Sequence, residues 1–115
     1  MENTGDLKIS VITVCKNSER YLKETIESVI GQQYGNIEYI LIDGESTDST
    51  ITIIREYESH IHYWISEEDN GMYDAINKGL KQASGDYILV LNSDDTLAHE
   101  NVIQQVASEI MKERL

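Results

Sequence analysis

The sequence predicts an α/β fold, a mostly parallel Rossmann-like sheet with helices on both faces. Three observations predict it. Short β-branched runs alternate four times with stretches whose apolar residues recur at helical spacing. The runs are apolar at nearly every position, as in strands covered on both sides. An order of strand, helix, strand repeated in this way closes into one sheet through right-handed crossovers, which leave the strands parallel. With 115 residues, no proline, no Gly/Ser-rich linker and no internal repeat, the chain reads as one unit over residues 1–115.

The first strand is Ile9 to Cys15, stopping at the polar Lys16-Asn17-Ser18. Leu22, Ile26, Val29 and Ile30 share one face of a helix spanning Glu19 to Ile30, and Gly31 follows its end. Ile37 to Ile42 is the second strand, closed by Asp43-Gly44. Asp48-Ser49-Thr50 opens a second helix carrying Ile51, Ile54 and Tyr57, with Ser46, Thr47 and Asp48 read as its caps. His60 to Ile65 is a third strand, with Trp64 in the core. Met72, Ala75, Ile76, Leu80 and Ala83 mark a third helix over Met72 to Ala83, and Gly85 ends it. Tyr87 to Leu91 is the clearest strand of all, and Val102, Ile103, Val106 and Ile110 place a last helix from about His99 onward.

The charge excludes some functions. Against 9 Lys+Arg stand 21 Asp+Glu, a formal net charge of −12. Nucleic-acid binding relies on cations that displace counterions, and an anionic membrane surface would repel this chain too. The lone Cys15 has no intrachain partner and suggests a reducing compartment. The opening residues, Met1 to Asp6, lack the charged and apolar parts of a secretory leader. No apolar run approaches the roughly 20 residues of a membrane helix. A cytoplasmic location is the expectation.

In an open parallel sheet, ligands gather beyond the carboxyl ends of the strands. The four loops there hold Asp43, Glu45, Asp48, Glu67, Glu68, Asp69, Asp94 and Asp95. The expectation is a rim crowded with carboxylates and poor in basic residues, able to hold an anion only through a hard divalent ion such as Mg²⁺ or Mn²⁺. Asp94 and Asp95 are the leading ligands, with capping of the following helix as an equal alternative. Neither G-x-G-x-x-G nor G-x-x-x-x-G-K-[ST] occurs. Asn92 stands where a phosphatase of Asp-x-Asp-x-Thr type needs its nucleophile. Cys15 reads as a small buried hydrophobe, His60 and His62 as a pair on one strand face without a third ligand, and Tyr73 as a border of the pocket.

Four segments in order, ISVITVCKNSERYL, LIDGESTDST, EDNGMYDAINKGLKQASGDYI and LNSDD, resemble the nucleotide-sugar half of an inverting family-2 glycosyltransferase of the GT-A fold. The resemblance implies a truncated GT-A fold. It implies transfer of a sugar, with inversion, from a nucleoside-diphosphate sugar, a UDP-sugar first, to an acceptor glycan or lipid-linked glycan in bacterial polysaccharide synthesis. It further implies Val14, Cys15 and Lys16 as backbone around base and ribose, and Asp43 as the carboxylate that accepts a hydrogen bond from the base. Asp69 with Gly71 falls in the loop over ribose and phosphates, and Asn77 on the helix beside them. Ser93 and Asp94 belong to the donor pocket, and Asp94, with Asp95 and Asn92, to the Mn²⁺ or Mg²⁺ site. The acceptor-binding half and the catalytic base are expected beyond the C-terminus, and the full-length enzyme in the cytoplasm or peripheral to the inner membrane. A non-catalytic α/β binding module and a phosphatase-like hydrolase are the alternatives.

Overall fold

The structure, a computed structural model, describes residues 7–113. Residues 1–6, read above as no secretory leader, lie outside the described residues, as do 114 and 115. In chain order the elements are β1 (Ile9–Cys15), α1 (Leu22–Ile30), β2 (Ile37–Asp43), α2 (Thr50–Glu56), β3 (Tyr63–Ser66), α3 (Met72–Gln82), β4 (Tyr87–Val90) and α4 (Val102–Glu113), with a 3-10 turn at Glu58–His60 before β3. The expected α/β architecture is present, a four-stranded sheet of order β3-β2-β1-β4 with every pair parallel.

Alternation along β1 divides the core into two layers. Ile9 and Val11 face one side with Tyr39 and Leu41 of β2, and Leu22, Ile26 and Val29 of α1, Ile54 of α2 and Ile103 and Ala107 of α4 pack there. Ile12 and Val14 face the other side with Ile40 and Ile42, under Ala75 of α3. The three α1 residues are 0–2% exposed, and burying each contributes about 1.5–3 kcal/mol relative to leaving it in water. Gly79 lets α3 lie close to the sheet, since a Cβ there would stand 2.7 Å from Ile12 Cγ2.

The structure departs from the sequence reading in four elements. Helix α1 starts at Leu22, not Glu19, because Ser18–Tyr21 form a turn in which the Ser18 carbonyl accepts the N–H groups of Tyr21 and Leu22. Strand β3 starts at Tyr63, so His60 and His62 share no strand face. His60 closes the 3-10 turn, and His62 Nδ1 accepts the Tyr39 N–H at 2.9 Å. Trp64 is half-buried and donates its indole N–H to Glu58. Strand β4, with the strongest strand composition, is the least covered: Tyr87, Ile88 and Val90 are 40–41% exposed. It pairs only with β1 among the described residues, while α3 lies over β1 and β2 instead. On α4 the buried residues are Ile103 and Ala107, and Val106 is exposed.

Candidate functional site

Strands β2 and β3 were added on one side of β1 and β4 on the other, so the chain reverses direction across the sheet between β1 and β4. Loops leaving those two strands diverge to opposite faces and open a crevice. A cavity of about 570 Å³ lies there, lined by the turn after β1, the loop leading into α3 and the loop after β4.

Local sequence builds the turn after β1. Asn17 takes a left-handed conformation (φ 48°), which its short polar side chain tolerates. Its N–H donates to Ser46 Oγ at 2.7 Å and its Oδ1 accepts the Thr47 N–H at 2.8 Å. The Ser18 N–H donates to Thr50 Oγ1, and Glu19 accepts the Ser49 N–H at 3.0 Å. Asp48 Oδ1 accepts the Thr50 N–H at 2.9 Å in a turn just before α2, whose N-cap position, Ser49, has no side-chain cap bond; Ser46 and Thr47, expected as caps, bond Asp43 and Asn17 instead. Partial desolvation works to raise this carboxyl, but the hydroxyl and N–H of Thr50 and the N–H of Glu19 outweigh it and hold it below the usual carboxylate range. These contacts lock the loops after β1 and β2 into one piece.

The Asp43 carboxylate sits at the end of β2. It is 0% exposed and does not line the cavity. Oδ1 accepts the Ser46 hydroxyl at 2.6 Å and the Cys15 thiol at 3.3 Å, and Oδ2 accepts the Ser46 N–H at 2.9 Å and the Ser66 hydroxyl at 2.8 Å. With both oxygens engaged, it ties the ends of β1, β2 and β3 together. Cys15 is buried as expected, and burial first, then the Asp43 charge, pushes its thiol far up, so it is no nucleophile. Val14, Cys15 and Lys16 all line the cavity.

The neighbouring Gly44 makes room for Asp69. A Cβ at position 44 would stand 2.7 Å from Asp69 Oδ2 and 3.4 Å from Lys16 Cδ. Asp69 lines the cavity, and its Oδ1 accepts the N–H of Gly71, whose φ of +107° suits glycine. Lys78 draws the preceding segment outward, donating to the Glu68 carbonyl and pairing with Glu67 at 3.2 Å. On α3, Met72 and Ala75 face the cavity. Asn77 is exposed and Tyr73 is 79% exposed, and neither lines it.

The rim is therefore not a wall of carboxylates. Of the eight acidic residues expected there, Asp69 and Asp94 line the cavity, and Lys16 and Arg20 line it with them. Formal charge at the site balances although the chain carries −12. Of the rest, Asp43 and Asp48 are held by hydrogen bonds and Glu67 pairs with Lys78, while Glu45, Glu68 and Asp95 do not line the cavity.

The loop after β4 contributes Asn92, Ser93 and Asp94. Asn92 Oδ1 is buried with no hydrogen-bond partner among the described residues, an arrangement that asks for a ligand. Ser93 Oγ meets Ser18 Oγ at 2.7 Å, and the buried Thr25 hydroxyl faces the carbonyls of Ser93 and Asp95. Asp94 is exposed, and α4 begins only at Val102, too far along for Asp94 or Asp95 to cap it. Asp95 is exposed, donates its N–H to the Asn92 carbonyl and does not line the cavity. Among the described residues no three His, Cys, Asp or Glu side chains cluster as a cage. A carboxylate beside an unsatisfied amide oxygen is the donor set of a hard dication that takes its other ligands from substrate phosphates.

Arg20, Tyr21 and Thr25 belong to the site without having been singled out in the sequence. The signal available for Arg20 was its place in the first loop beyond a strand's carboxyl end.

The description "Glycosyl transferase family 2" matches residues 10–115. A glycosyltransferase of Mycobacterium tuberculosis (strain H37Rv) with no characterized activity is 40% identical over 103 residues, 89% of this chain and 39% of its own. TuaG of Bacillus subtilis (strain 168), named for teichuronic acid biosynthesis, is 38% identical over 109 residues, 92% of this chain and 42% of its own. The crystal structure of S. aureus TarS 1–349 in complex with UDP-GlcNAc superposes with a TM-score of 0.86 at 28% identity, covering 94% of this chain and 32% of that one. The chain thus spans about two fifths of the length of the relatives it matches.

Proposed function

The chain belongs to glycosyl transferase family 2, and from that premise we propose that it holds the donor site of a metal-dependent sugar transfer from a nucleoside-diphosphate sugar, UDP-linked first, to an acceptor hydroxyl with inversion. The observation that carries the reading is the cavity between β1 and β4, where Asp94 and the unpartnered Asn92 Oδ1 meet the turn after β1. The complex of TarS with UDP-GlcNAc supports the choice of nucleotide, and the name of TuaG supports a role in bacterial surface polysaccharide.

In this reading Asp94 and Asn92 would hold Mn²⁺ or Mg²⁺, which would supply positive charge beside the leaving diphosphate. Asp95, outside the cavity, supports the loop without ligating. Val14, Cys15 and Lys16 form the floor under the nucleoside, with Asp69 beside Lys16 next to Gly44. Asp43 keeps that floor rigid by binding Ser46, Ser66 and Cys15. The general base that deprotonates the acceptor belongs to the portion of the longer relatives that this chain does not match. Among the described residues no helix is long and apolar enough to cross a membrane, and the reading places the protein in the cytoplasm or against the inner face of the membrane.

Two lining cations alter one expectation. The sequence implied poor donor binding without metal; with Lys16 and Arg20 lining the cavity, some metal-free binding is expected, strengthened by metal. Calorimetric titration of the chain with UDP, GDP and dTDP, with and without Mn²⁺, tests the reading. Binding of one diphosphate, tightened by Mn²⁺, is expected; no binding in any combination would sink it.

A further inference from the structure

The chain is strongly acidic, yet its main cavity contains a guanidinium with no acidic partner. Arg20 lines the cavity, and among the described residues no carboxylate lies within ion-pair distance of it. The adjacent Glu19 is committed to the Ser49 N–H and so leaves Arg20 unneutralised. Its contact is with the Tyr21 ring, 5.8 Å from guanidinium carbon to ring centroid. Such stacking restrains the side chain while leaving its charge and its N–H donors available.

The two lining cations have different side-chain neighbours. Lys16 lies by Gly44 and Asp69, with its Cδ 3.4 Å from where a Gly44 Cβ would be. Arg20 follows two residues after Ser18, whose Oγ meets Ser93 Oγ at 2.7 Å, next to Asp94. The turn bearing Arg20 and the loop bearing Asp94 are therefore joined edge to edge. A ligand that reaches Asp94 through a metal brings its phosphates to that same edge.

We propose that Arg20 binds the terminal phosphate of the donor's diphosphate, at the Asp94 end of the cavity. The proposal rests on the donor-site reading above and assigns a contact within it. A guanidinium suits this task, since its fork donates two parallel hydrogen bonds to phosphate oxygens. The contact supplies binding that discriminates a diphosphate from a monophosphate, whose single phosphate stays nearer the nucleoside.

The test compares UDP with UMP by calorimetry in Mn²⁺ on the unaltered chain, Arg20→Ala and Arg20→Lys, with circular dichroism to confirm folding. Arg20→Ala is expected to weaken UDP about tenfold and UMP less than twofold, and Arg20→Lys to recover part of the loss as a point charge without the fork. Equal losses for UDP and UMP, or no loss for either, would overturn the assignment while leaving the donor site standing. If the unaltered chain binds neither nucleotide, the donor-site reading falls and this contact with it.

Discussion

The Thr25 hydroxyl lies 2.8 Å from the Ser93 carbonyl oxygen, spanning from α1 to the loop that carries Asp94. The same hydroxyl stands 2.7 Å from the Asp95 carbonyl, so one buried proton is shared by both sides of Asp94. Ser28, a turn along α1, accepts the Leu97 N–H at 3.1 Å and extends the hold. Helix α1, through its buried apolar face, is rigidly seated on the sheet, and it transmits that rigidity to the loop.

Thr25→Val keeps the shape and removes the hydroxyl. The carbonyls of Ser93 and Asp95 lose their buried donor, which costs about 1–3 kcal/mol in a urea unfolding experiment. Affinity for UDP in Mn²⁺ should fall as well, since Asp94 is no longer held, while Thr25→Ser should restore both.

Asp94→Asn separates metal binding from structure. The carboxylate is exposed and makes no cap, so unfolding free energy should change by less than about 0.5 kcal/mol. The Mn²⁺-dependent part of UDP binding should disappear, read as identical titrations with and without the metal.

Gly44→Ala should displace Asp69, because the new Cβ would stand 2.7 Å from its Oδ2. Weaker nucleotide binding is the expected result by calorimetry. Gly35→Ala is the matched control: nothing lies within 4 Å of a Cβ there, and neither binding nor stability should move appreciably.

Glu38 makes stability depend on acid. Desolvation works to raise its carboxyl, but the Ser84 N–H, the Ser10 and Ser84 hydroxyls and Lys8 outweigh it and bring the group from 4.5 down to about 2. A group lowered in the folded state stabilises fully above its unfolded value and loses that contribution as pH falls through the folded one. The unfolded chain binds the extra proton between those limits, so stability should decline from about pH 5 toward pH 2. In urea midpoints, Glu38→Gln should be less stable than the parent at pH 7, with the gap closing toward pH 2.

Much of the fold was legible because burial leaves a period in the letters. Strand β1 matched its run Ile9–Cys15 to the residue, and α3 came within one residue of its expected end. Boundaries failed where side chains competed for backbone groups, as at Ser18 and Glu19, whose N–H groups are taken by Thr50 and Asp48. Composition also could not tell that Tyr87–Val90 pairs on one side only among the described residues, since the same apolar strand serves either position.

By itself the sequence determined the order of elements, the buried face of α1, and which loops gather beyond the strands' carboxyl ends. Those follow from local periodicity and from the handedness of parallel crossovers. Only the tertiary structure decided which charges meet the cavity. Asp43 turned inward to Ser46 and Ser66, Glu67 went to Lys78, and Arg20 came to line the cavity. Side-chain direction depends on hydrogen-bond partners contributed by segments distant along the chain, and a linear pattern of acidic letters carries no information about which of them are already satisfied.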